Sequence, residues 1–151
     1  MELYRITRDR HRDDLTGTEA FKSGGRWNTE GRHALYTASS RSLALLEKLV
    51  HLEETPPPDD YVMVVLHVPD EVSCRQLEDL PADWPSQRSW TEDAGNRWLD
   101  ENKTLLLKVP SVIVPLEYNY ILNPRHEDMK LVKIVGIEPF TIDERLCTYE
   151  Q

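Results

Sequence analysis

Cysteine is scarce in this chain, basic residues are outnumbered and long apolar runs are missing, and each shortage removes a class of function. The two cysteines, Cys74 and Cys147, stand far apart with neither CxxC spacing nor a neighbouring histidine pair, so a zinc site or dithiol redox motif has no support. The five histidines, His11, His33, His51, His67 and His126, lack the short spacings that set two ligands on one face. No metal is expected. Lys and Arg number 18 against 27 Asp and Glu, a net charge of −9. A protein that neutralises phosphates along a nucleic acid needs the reverse balance, so direct nucleic-acid binding is not expected. An anionic small molecule then needs a local positive pocket, which makes single arginines worth inspecting. No apolar stretch approaches the roughly 18 residues of a membrane span. The start, Met1-Glu2-Leu3-Tyr4-Arg5, has no apolar h-region of a signal peptide, and a cytoplasmic location is the expectation.

What the chain does have suits one folded unit. Its 151 residues, 39% hydrophobic and 30% charged, fit a single domain over 1–151 with one core. Residues 2–6 and 33–38 read as short strands, joined by a polar, glycine-bearing segment. From Ser39 to about Glu54 the period turns helical: Ser39 or Ser40 can cap it, and Leu43, Leu45, Leu46, Leu49, Val50 and Leu52 cover a broad arc. Thr55-Pro56-Pro57-Pro58 ends it, because successive prolines lack N–H donors. Tyr61–Val68 reads as a buried strand, Thr91–Asn102 as a second helix, and Thr104–Val109, Ser111–Pro115 and Leu131–Ile137 as further strands. Several strands with one or two helices, not in regular alternation, predict an α+β domain with mixed or antiparallel sheets.

Three residues stand out chemically. Glu47 falls at the edge of the helical apolar arc beside Leu43 and Val50, where a carboxylate is partly buried; the same position suits a boundary glutamate paired with His51. Arg26 sits in the glycine-framed Ser23-Gly24-Gly25-Arg26-Trp27-Asn28, where a guanidinium can take an anion bidentately, or else simply stack on Trp27. Tyr36, on the strand before the Glu47 helix, either faces a cleft or belongs to the core. Ser111 has no GxSxG elbow around it, so it is read as a turn or ligand-binding hydroxyl and not as a nucleophile. Asn123-Pro124 is a turn signal.

These pieces occur together in an order that resembles the RES domain family. The resemblance runs through Ser23-Gly24-Gly25-Arg26-Trp27-Asn28, Ala34-Leu35-Tyr36-Thr37-Ala38, Leu43-Ala44-Leu45-Leu46-Glu47, Gly95 and Trp98. It continues with Val109-Pro110-Ser111-Val112 and Glu117-Tyr118-Asn119-Tyr120-Ile121-Leu122-Asn123-Pro124, and ends near Arg145-Leu146. It spans nearly the whole chain, with Arg26, Glu47 and Ser111 at the three name-giving positions.

The resemblance implies a toxin of a type II toxin–antitoxin pair, with a fold like that of ADP-ribosyltransferases, which cleaves the nicotinamide–ribose bond of NAD⁺. NAD⁺ is then substrate, and no cofactor is expected. The implied roles make Glu47, Arg26 and Tyr36 catalytic, with Arg26, Trp27, Tyr36, Ser111 and Asn119 binding substrate. The implied partner is an Xre-type helix-turn-helix antitoxin, and the family also admits a homodimer within that complex. Two alternatives stay open: a mono-ADP-ribosyltransferase acting on a protein, and a non-catalytic binding module in which Arg26 and Glu47 form a structural ion pair.

Overall fold

The computed structural model describes residues 1–53 and 56–147. Among these residues seven strands form one mixed sheet: β1 (Glu2–Arg8), β2 (Leu35–Ala38), β3 (Tyr61–His67), β4 (Cys74–Gln76), β5 (Leu106–Pro110), β6 (Tyr118–Leu122) and β7 (Lys133–Pro139). Their order is β4-β5-β6-β2-β1-β3-β7. Only the β4–β5 pair is parallel, so every other neighbour meets as in a hairpin or meander. Among the described residues three α-helices accompany the sheet: α1 (Thr18–Ser23), α2 (Arg41–Leu49) and α3 (Arg88–Glu101). The α+β expectation holds, in a single sheet.

Alternation divides the sheet's side chains between two layers, because successive strand residues point to opposite faces. Leu3, Leu35, Val62, Val64, Leu66, Leu106 and Leu122 fill one side. On the other, Met63, Val65 and Ala38 meet Leu43 and Ala44 of α2, while Leu107, Val109 and Ile121 meet Trp98 and Leu99 of α3. β3 is buried from Tyr61 through Leu66, as a central strand covered on both faces must be.

Where the elements depart from expectation, the reasons are local. α2 ends at Leu49, not near Glu54, which lies outside the described residues; Val50 is 59% exposed, and the His51 and Leu52 N–H groups already bond three residues back, to Lys48 and Leu49. The helix tightens and stops once it has no apolar contact left to make. Ser111–Pro115 is not a strand. The Ser111 hydroxyl accepts the N–H groups of Ile113 and Val114 at 3.1 Å each, so a β-branched run is curled into a turn by one side chain.

Candidate active site

Glu47 is placed by a chain of local decisions that begins in β2. Ser40, extended at φ −149°, ψ 162°, accepts the Leu43 N–H on its hydroxyl and starts α2 directly after the strand. With Leu43 and Ala44 buried against the sheet, the position three to four residues on overhangs the same side, and Glu47 is half-buried. There it meets two donors from distant sequence. Ser111 Oγ donates to Glu47 Oε1 at 2.8 Å and Asn119 Nδ2 donates to the same oxygen at 2.7 Å. Oε2 is left without a protein donor among the described residues. The carboxylate is therefore held by one oxygen and offers the other.

The two donors are themselves fixed. Ser111 is 3% exposed and spends its lone pairs on the turn it organises. Asn119 of β6 stands opposite Ala38 in the β2–β6 register, so the strand paired with the one that launches α2 carries the partner of its glutamate. Each charge-assisted hydrogen bond contributes about 1.5–3 kcal/mol toward holding the carboxylate. Ser111→Ala removes one of them and the acceptor of two turn N–H groups. Its kcat should fall by roughly tenfold with KM little changed, and Ser111→Thr should restore most of the loss. Steady-state kinetics of the two variants check this, and equal activity in wild type and Ser111→Ala would contradict it.

Tyr36 holds the turn that follows α1 and carries Arg26. The Trp27 N–H donates to the Tyr36 hydroxyl at 3.0 Å, which in turn donates to Asn28 Oδ1 at 2.6 Å. Asn28, 1% exposed, also donates through Nδ2 to the carbonyl oxygens of Ala20, Thr29 and Arg32. Gly25 permits the approach: a Cβ there would lie 2.5 Å from the tyrosine oxygen. Burial pushes the Tyr36 phenol well above its ordinary pKa, so the hydroxyl stays protonated and remains a donor. Tyr36→Phe orphans both the Trp27 N–H and Asn28 Oδ1, at a cost of about 1–3 kcal/mol. A thermal midpoint lower by roughly 2–10 °C is expected, and an unchanged midpoint would refute the positioning role.

Arg26 itself is half-buried and has no carboxylate partner within salt-bridge distance among the described residues. Its Nη1 donates to the Pro85 carbonyl at 3.1 Å, and its guanidinium lies 6.0 Å from the Trp84 ring centroid. Burial, and then the charge of Arg88, lower its pKa; Glu47 and Tyr36 oppose them. Arg26 is thus within electrostatic reach of Glu47, Tyr36 and Arg88 together. A guanidinium stays protonated in proteins, so a cation with no salt-bridge partner among the described residues stands within electrostatic reach of the Glu47 carboxylate. That is a place for an anion.

Of the sequence candidates, Arg26, Tyr36, Glu47, Ser111 and Asn119 are brought to one region. Trp27 is not presented to a ligand: it is 3% exposed, tilted against Trp84 at 5.8 Å and packed with Trp98 and Leu99. Its large ring is worth more in the core than in a cleft. Glu47 does not pair with His51, and Arg26 lies near Trp84 in place of Trp27. Sequence reasoning passed over Asn28 as a turn-holder and Arg88 as a neighbouring cation; an asparagine closing the Gly24-Gly25-Arg26-Trp27 stretch was the signal for the first. Beside the Arg26 turn opens a hollow of about 400 Å³, lined by Gly24, Asn28, Thr29, Glu30, Arg88 and Glu92 among others.

Comparison with known proteins agrees on the family. A model of the RES domain matches residues 2–143. The chain is 44% identical over 135 residues to a protein of Pseudomonas putida named Toxin Res, covering 88% of this chain and 92% of that one. It is 39% identical over 140 residues to the Prs ADP-ribosylating toxin of a Sphingobium species, covering 89% and 87%. In three dimensions it resembles a chain of the M. tuberculosis MbcT–MbcA toxin–antitoxin complex, with a TM-score of 0.75 at 19% identity over 93% of this chain and 84% of that one.

Proposed function

The chain belongs to the RES domain family, and on that premise we propose that it is the toxin of a toxin–antitoxin pair, cleaving the nicotinamide–ribose bond of NAD⁺. The observation that carries the reading is the Glu47 carboxylate, pinned at Oε1 by Ser111 and Asn119 and in electrostatic reach of Arg26, with Oε2 lacking a donor and Arg26 a salt-bridge partner among the described residues. The carbon–nitrogen bond at the ribose breaks, and its electron pair leaves with neutral nicotinamide. Positive charge then builds on the ribose. A carboxylate fixed in advance stabilises that charge without reorganising, and Oε2 can also accept a ribose hydroxyl. Arg26 holds the pyrophosphate by charge-assisted hydrogen bonds. The acceptor, water or phosphate, adds to the anomeric carbon and loses a proton.

A second reading has one observation in its favour, the relative named as a Prs ADP-ribosylating toxin: the same site would pass ADP-ribose to a protein side chain. The partner in either case is an antitoxin, which we take to be an Xre-type helix-turn-helix protein acting in the cytoplasm. The likeness to the toxin–antitoxin complex supports a partner, and the net charge of −9 is consistent with DNA contacts made by that partner. The test is purified protein with NAD⁺ labelled on its adenylate, with and without phosphate and with cell lysate. Free nicotinamide with label on ADP-ribose or its 1-phosphate is expected. Label retained on a protein would replace hydrolysis or phosphorolysis by transfer, and intact NAD⁺ in every arm would overturn the enzyme.

A further inference from the structure

The hollow beside the Arg26 turn has no part in the chemistry described so far. Gly24 and Asn28, which flank Arg26 in sequence, line it, as do Arg88 and Glu92 of α3 and Glu30, whereas Glu47, Ser111 and Asn119 do not. Its Arg88 is within electrostatic reach of Arg26, so the hollow lies near that guanidinium, and the reacting carboxylate takes no part in its lining. A dinucleotide with its scissile ribose at Glu47 and its pyrophosphate at Arg26 has one half still to place. At about 400 Å³ the hollow falls within the roughly 300–1,000 Å³ of small-molecule sites.

We propose that this hollow holds the adenosine-side ribose of the dinucleotide, and that Glu30 and Glu92 make the site select NAD⁺ over its 2′-phosphorylated form, NADP⁺. The proposal rests on the NAD⁺-cleaving reading. Two carboxylates against the one guanidinium of Arg88 leave the lining with one net negative charge. A carboxylate accepts the hydrogen bonds of a ribose diol, and an acidic side chain on the 2′-hydroxyl is a general device for preferring NAD⁺. A 2′-phosphate would bring about −1.5 to −2 charge against that lining. Arg88 now pairs with Glu92, Nε to Oε1 at 3.1 Å, and its charge is felt at both Arg26 and Tyr36. A pyrophosphate between Arg26 and Arg88 relieves their repulsion and frees Glu92 for the ribose.

The experiment compares kcat/KM for NAD⁺ and NADP⁺ in wild type, Glu30→Gln, Glu92→Gln and the double variant. The wild type should prefer NAD⁺ by about tenfold or more, and the double variant should move the ratio toward parity by about tenfold. Release of nicotinamide from NAD⁺ at saturation should change by less than about threefold, since neither glutamate touches the reacting carbon. A wild type that consumes both dinucleotides equally, or a ratio unmoved in the double variant, overturns the selection while leaving NAD⁺ cleavage standing. A wild type that consumes neither overturns both.

Discussion

Glu47→Gln should lower nicotinamide release from NAD⁺ by about a hundredfold or more, corresponding to a loss of ~2–4 kcal/mol of transition-state stabilisation, with the fold intact. Glutamine has the same length and retains an oxygen that Ser111 Oγ and Asn119 Nδ2 can still share, so the hydrogen bonds at 2.8 and 2.7 Å have a replacement acceptor. What it lacks is the charge. The ribose cation then forms beside a neutral dipole, and most of the cost falls on kcat, because the charge that Glu47 stabilises develops on the ribose as the bond breaks. Turnover and thermal midpoint should be measured together. A folded variant with turnover within about threefold of wild type would remove Glu47 from the chemistry.

The largest structural effect is expected at Gly95. An added Cβ there would lie 1.7 Å from the Trp27 carbonyl oxygen and 2.6 Å from its carbon, so Gly95→Ala drives helix backbone into loop backbone, with no flexible side chain to give way. α3 must shift, taking Trp98 and Leu99 out of the core they share with Trp27 and dragging the turn that carries Arg26. Overpacking of this kind costs about 3 kcal/mol or more. Circular dichroism melts should place the midpoint roughly 6–12 °C lower, with activity reduced as well. A midpoint within about 2 °C of wild type would show that the contact between α3 and the turn is not needed.

The two predictions differ in how far the sequence alone could reach them. Glu47 was readable because a helical period places every residue of α2 relative to its buried face; the leucines point inward, and a glutamate at their edge follows. Its true partners were not, since Ser111 and Asn119 are 64 and 72 residues away and only strand order and register bring them near. Arg26 was readable from its glycine frame. That it would lie near Trp84, and that Trp27 would be core, depended on a loop 59 residues further on, whose Pro85 carbonyl accepts from it. α1 has six residues with one, Ala20, buried, too few for a period to register, and β4 is three exposed residues on an edge, where no face alternates. β6, Tyr118–Leu122, is not among the strands the sequence predicts, since Asn119 interrupts its β-forming residues and the β-branched run at Ser111–Pro115 carries the stronger strand signal.

Central to the account is a single dinucleotide site with Glu47 at one end and Arg26 in its middle. Its most direct test is a crystal structure of Glu47→Gln protein soaked with NAD⁺. The nicotinamide ribose should lie within hydrogen-bond distance of residue 47, with the pyrophosphate on Arg26. NAD⁺ bound with its reactive ribose away from residue 47, or with its phosphates away from Arg26, would contradict the account.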